Sequence, residues 1–173
     1  MIEVLVTIVI LVFGLLGMAG MQARLQNAEM EAYQRTQALL LLNDMANRIA
    51  TNRNNAVSYV TTSALGAGMT CPTTSSSQAE RDVNEWCLAL QGAAETTSSG
   101  ANKVGAMLGG RGCVQNIGSD YVVTVAWQGL TPISAPPVSV SCGQNLYDGA
   151  TGSSCANDLC RRTVTTLVQI ATL

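Results

Sequence analysis

Histidine is absent from the 173 residues. That removes the commonest general base and the commonest metal ligand, and it makes a Ser-His or Cys-His pair impossible. Charge is sparse too: 12% of residues are Asp, Glu, Lys or Arg, and the net charge is −2. With no basic block, the chain as a whole does not attract phosphate. Nucleic acid is therefore not a favoured partner, and Arg161-Arg162 is the one local basic pair that keeps it open. The eleven acids are scattered and form no paired-carboxylate pattern for acid–base work. Gly109-Gly110-Arg111-Gly112 has neither the preceding strand nor the following helix of a phosphate-binding loop. These absences argue against an enzyme, and no residue pattern calls for a cofactor. Aromatics are few and proline is absent before Pro72, so nothing obliges the first fifty residues to break a helix.

What is present begins with Val4–Met21, eighteen residues without a charge. As a helix they span about 27 Å, close to the hydrocarbon thickness of a bilayer. One acid, Glu3, stands just ahead of the run, and no Lys or Arg precedes it. A secretory signal starts with positive charge and ends at a small-residue cleavage site, so this run reads differently. Past Gln22, apolar positions recur at Leu25, Ala28, Ala32, Leu39, Leu42, Ala46 and Ile49, with Arg35 as the single break. Steps of three and four mark one helical stripe. The economical reading is one helix of about fifty residues, roughly 75 Å long. It divides the chain into residues 1–22, apolar all round and suited to lipid or other helices, and a head of residues 23–173. Gly14, Gly17 and Gly20 lie within the run as small residues that membrane helices tolerate.

Asn52, Asn54 and Asn55 read as the frayed helix end, and Thr61–Thr74 as a linker. Ser77 and Glu80 have capping-box spacing. They open a short helix with Val83, Trp86, Cys87 and Leu90 on one face, which Gly92 can end. Ala93–Gly110 reads as loop. The period then changes to two. Asp120–Gln128 alternates β-branched and aromatic residues and predicts a strand, with Gly112–Gln115 as its partner. Val138–Cys142 is a third candidate, Gly143–Asp158 is loop, and Arg161–Ala171 is a fourth, with Arg162, Val164, Thr166, Val168 and Ile170 on one face. The fold class is α+β: a long N-terminal helix, its outer half amphipathic, packed on an antiparallel sheet of three to four strands, with a short extra helix and tied loops.

All six cysteines lie in the polar part. An even number beyond a membrane-length segment favours disulfides in an oxidising compartment. Zinc is the alternative, since the Cys155–Cys160 spacing permits a metal loop, although no second close pair completes a site. Six cysteines allow fifteen connectivities. The nearest-neighbour choice pairs Cys71 with Cys87, Cys113 with Cys142, and Cys155 with Cys160. Trp127 and Trp86 read first as core anchors and second as contacts for a partner. Glu3 has a bland reading, an acid favoured by the helix dipole. Its sharper reading is a carboxylate at the edge of hydrocarbon that needs a positive partner on another subunit.

Met1-Ile2-Glu3-Val4-Leu5-Val6 with its apolar continuation resembles the N-terminus of type IV pilins and pseudopilins, whose mature chains typically begin Phe-Thr-Leu-Ile-Glu. Tyr121–Gly129 and Gly109–Cys113, with a late cysteine before a final Arg-Arg strand, are similar to the PilV group of minor pilins. On this resemblance Met1 stands at the family's third mature position and Glu3 at its glutamate. The N-methylated phenylalanine has no counterpart here. The resemblance implies a pilin-like fold with a periplasmic head, and an inner-membrane subunit that then enters the pilus at the cell surface. It gives Glu3 the docking charge that neutralises a neighbour's N-terminal amine. It names as partners other minor pilins, the major pilin, the assembly platform and, before assembly, inner-membrane lipid. The implied function is a non-catalytic minor pilin that helps initiate assembly at or near the tip. A minor pseudopilin of a type II secretion system and a single-span anchored adhesin, binding through Ala93–Gly110 and Gly143–Asp158, are the alternatives.

Overall fold

No proline interrupts the first fifty residues, so nothing there breaks a helix. In the computed structural model, which describes residues 2–93, 103, 105 and 107–170, the chain begins with one α-helix, α1 (Ile2–Thr51). The chain divides into two compact units, Met1–Tyr33 and Gln34–Leu173. Within the first, the side chains of Ile2 through Met30 are exposed, apolar and polar alike. Within the second, Gln34, Ala38, Leu42, Met45 and Ile49 are buried. This stripe differs from the expected one: Arg35 and Leu39 face solvent, and Gln34 and Ala38 take the inner positions. The reason is the run Leu39–Leu42, which is apolar on every side and leaves the phase of the stripe undefined by composition.

The α-helix ends at the asparagine cluster as expected: Asn52 leaves helical geometry at φ −108° and ψ 40°, and Asn55 (φ −116°, ψ 22°) kinks the segment that follows. A 3₁₀ helix, Arg53–Tyr59, follows α1 and buries Ala56 and Tyr59. Such turns commonly close a helix end. Next comes β1 (Leu65–Gly66), inside the segment expected to be linker. Two residues carry no periodicity, so no pattern announced it. Gly66 has φ 110°, and a Cβ there would fall 2.4 Å from the Gly110 carbonyl oxygen.

Helix α2 (Gln78–Leu90) starts on the expected cap. The Ser77 side chain accepts from the Glu80 N–H, and the Glu80 carboxylate accepts from the Ser77 N–H. Glu80 also accepts from the Ser76 N–H and hydroxyl, and these bonds hold its carboxyl below the usual range. Trp86, Cys87 and Leu90 are buried on the inner face, and Val83 packs against them.

Strands β2 (Arg111–Ile117), β3 (Asp120–Gln128) and β4 (Arg161–Gln169) complete an antiparallel sheet of order β1-β2-β3-β4. A two-residue turn, Gly118-Ser119, joins β2 to β3 with Ile117 opposite Asp120, and Gly118 supplies the positive φ that this turn needs. Val123, Val125 and Trp127 point into a core shared with Ala38, Leu42, Met45 and Ile49 of α1 and with Trp86 of α2. Gly112 lets Trp86 lie on the sheet, since a Cβ there would fall 2.2 Å from the indole ring.

Val138–Cys142, expected as a strand, is not one. Val138 is exposed, and the Val140 N–H turns back to the Pro137 carbonyl. The carbonyls of Val140 and Cys142 accept from the Arg161 guanidinium rather than from a ladder. Arg161 and the Cys113–Cys142 disulfide pin the segment on the sheet face opposite the helix. The Ala93–Gly110 loop lies largely outside the described residues, as does the end of the Arg161–Ala171 segment.

Candidate functional site

Two regions carry chemistry, and they lie in different units. The first is the N-terminal part of α1. Glu3 occupies the first turn and is exposed. The stretch that follows exposes Val4, Leu5, Ile8, Leu11, Phe13 and Leu16 together. Among the described residues, α1 is the one helix long and apolar enough to cross a membrane, with none of its most apolar window buried. Apolar area of this extent stays in water only at high cost.

The second region is the joint between the end of α1, the 3₁₀ helix and α2. Arg48 reaches three carboxylates: Nη1 lies 2.8 Å from Asp82 and 2.7 Å from Glu85, and Nε lies 3.0 Å from Asp44. Burial pulls the guanidinium pKa down, but Glu85, Asp44 and Asp82 outweigh it and hold it above the ordinary value. Asp82 is buried, and it also accepts from the Tyr59 hydroxyl and from Gln78. Trp86 donates its indole N–H to the Leu41 carbonyl at 2.9 Å. Arg48 is thus a clamp between α1 and α2.

Burial and the hydrogen bond to Asp82 push the Tyr59 pKa from 10.0 up to about 12. A raised pKa means that the folded state holds this proton more tightly. Its contribution is complete below about pH 10 and is lost as pH rises toward 12. The expected result is a stability loss between those values that is smaller in Tyr59→Phe. Denaturant midpoints at pH 9, 10 and 11 for the two chains measure it, and parallel curves would contradict it.

The structure joins Cys71 to Cys87, Cys113 to Cys142, and Cys155 to Cys160. No cysteine remains free, so none is left as a thiolate ligand. Cys71–Cys87 ties the segment before α2 to that helix. Cys113–Cys142 ties β2 to the loop under Arg161. Trp86 and Trp127 are both buried and belong to the core. Trp127 lies opposite Arg162 in the β3–β4 ladder. Gly143–Asp158 borders a cleft of about 240 Å³ whose lining, including Thr61, Gln115, Ser141 and Gln144, carries no charge.

The sequence reading missed the Arg48–Asp82–Tyr59 cluster and the role of Arg161. Arg161 is buried, and its Nε lies 3.2 Å from Asp158 without hydrogen-bond alignment. The available signal was a pair of charged residues, Arg161-Arg162, at the start of an otherwise uncharged strand. No family model, curated protein or solved structure matches this chain.

Proposed function

We propose that the chain is a non-catalytic minor type IV pilin that helps initiate pilus assembly and sits at or near the pilus tip. One observation carries the reading. A single helix holds an exposed apolar stretch headed by one carboxylate, and its later residues form the core of a disulfide-tied head. A plain membrane anchor has no need to continue as the core helix of the domain it holds. The stretch suits two successive surroundings, the bilayer before assembly and the packed helices of a filament after it. A carboxylate at the boundary of hydrocarbon is costly without a positive partner. On this reading Glu3 meets the N-terminal amine of a neighbouring subunit. The partners are other minor pilins, the major pilin and the assembly platform. The site is the bacterial inner membrane with a periplasmic head, then the pilus.

Glu3→Ala is expected to lower surface pilus number about tenfold, the loss of roughly 1.4 kcal/mol at docking, while the chain remains in the membrane. Counting filaments in the native host, with the membrane level of the variant as control, tests it. Unchanged filament number sinks the assembly role and favours an anchored adhesin. A minor pseudopilin would leave pili intact and fail in protein secretion.

A further inference from the structure

The two edges of the sheet are finished differently. β1 is two residues long, and both are buried. β4, at the other edge, is nine residues long. It pairs with β3 along its whole length, from Arg161 opposite Gln128 to Gln169 opposite Asp120, without a bulge. Natural edge strands are usually shortened, bulged, interrupted by proline or marked by lysine, because their free main-chain groups invite another chain. Thr163-Val164-Thr165-Thr166-Leu167-Val168-Gln169 has none of these devices and no charge. Its β-branched residues favour an extended strand. Among the described residues, β3 is the only strand bonded to β4, and no other main-chain hydrogen bond reaches Thr163–Gln169.

The phase of the ladder identifies the outward groups. The Gly129 N–H donates to the Cys160 carbonyl, and the Gln128 N–H donates away from β4 to Leu108. Alternation in an antiparallel pair then turns the main-chain groups of Val164, Thr166 and Val168 toward β3. Those of Thr163, Thr165, Leu167 and Gln169 face the open edge. Leu167 lies opposite Val122, and its side chain is half exposed. An added strand would therefore find main-chain partners along the edge and an apolar contact at Leu167.

We infer that the β4 edge is the docking site for an extended strand of a different, non-identical subunit, added to the sheet by main-chain hydrogen bonding. The identity of the occupant rests on the pilin reading. Two copies pairing through β4 would be antiparallel about a two-fold axis. Their Gln34–Thr51 helices would then run in opposite directions. Subunits drawn from one membrane share a direction, so β4 does not pair with β4 of a second copy, and among the described residues the other sheet edge is the two-residue β1, too short to serve as the added strand. The added strand carries uncharged side chains opposite Thr163–Gln169, since a charge there would face no counter-charge.

The test is residue-resolved amide exchange on the full chain, purified in detergent micelles and in membranes and filaments of the native host. In micelles, the Thr163, Thr165 and Leu167 amides are expected to exchange as open groups, with Val164, Thr166 and Val168 protected. In membranes and filaments, the first three slow by at least about tenfold. Thr165→Lys, at an exposed position, and Thr165→Pro, which removes an outward donor, both abolish the slowing. Continued protection of Val164 and Val168 in the lysine variant shows that its fold is intact. Open exchange in membranes and filaments alike overturns the proposal. So does protection in micelles, whether it grows with concentration (self-pairing) or not (an edge closed by the chain itself). Glu3→Ala separates the two readings. Normal filaments with persistent slowing defeat the pilin reading alone. Lost filaments, with no slowing in the wild-type chain, defeat strand docking alone.

Discussion

Replacing Arg161 by methionine is expected to destabilise the head by about 3–5 kcal/mol, the usual effect of removing one member of a buried charged pair. Arg161 is 2% exposed. Its Nη1 donates to the carbonyls of Val140 and Cys142, and its Nε lies beside Asp158. Methionine keeps most of the volume and removes every donor. Two carbonyls then lose their partner inside the protein, and Asp158 keeps a charge under the loop. Asp158 retains the Asn145 N–H at 2.8 Å, which limits the loss but does not replace a guanidinium. Arg161→Met with Asp158→Asn is expected to cost less than the single change, because the stranded charge is gone. Denaturant unfolding with the disulfides intact reads both. A single-variant loss below about 1 kcal/mol would place Arg161 among ordinary surface cations.

Trp86→Ala is expected to cost about 3–5 kcal/mol, the range for emptying a large aromatic site in a core. Trp86 is fully buried, and it touches three parts of the head at once. Its ring lies over Gly112 of β2, its N–H reaches Leu41 of α1, and α2 carries it. Alanine removes the ring from above a glycine, which has no side chain to refill the space. It also leaves the Leu41 carbonyl short of one donor. Trp86→Phe keeps part of the ring and is expected to lose less. The order alanine, phenylalanine, wild type in unfolding midpoint is the checkable result. Equal midpoints would mean that the core collapses freely around the site.

Local features of the fold were legible, and distant ones were not. The α2 cap is written in two residues three apart, Ser77 and Glu80, and it formed as read. β3 is written in an alternation that no helix can satisfy, and it spans the expected residues. Val138–Cys142 alternates valine and serine with the same period, but its carbonyls are claimed by Arg161, some twenty positions along the chain. Short apolar runs do not reveal such a competitor. The stripe on α1 was offset because Leu39–Leu42 offers no polar residue to mark its outer side. Of the candidate site, Glu3 stands out at once, since a lone charge beside an apolar run contrasts with its neighbours. Arg48, Asp82 and Tyr59 look like ordinary surface residues when read singly. Only the meeting of three helical segments makes them a cluster.

The placement of the three disulfides has a mechanical consequence. None involves α1, which contains no cysteine. Under tension along α1, the main chain after Thr51 is therefore the only covalent link to the rest of the head. The remaining load passes sideways through non-covalent contacts: the packing of Ala38, Leu42, Met45 and Ile49 in the core, Arg48 with the carboxylates of α2, and Trp86 with the Leu41 carbonyl. The cross-links brace the loops and the far face of the sheet, leaving the helix seat as the part that shears first. Force would draw α1 off the core before it opened the disulfide-tied loops, so the yield point of the head is set by side chains rather than by sulfur.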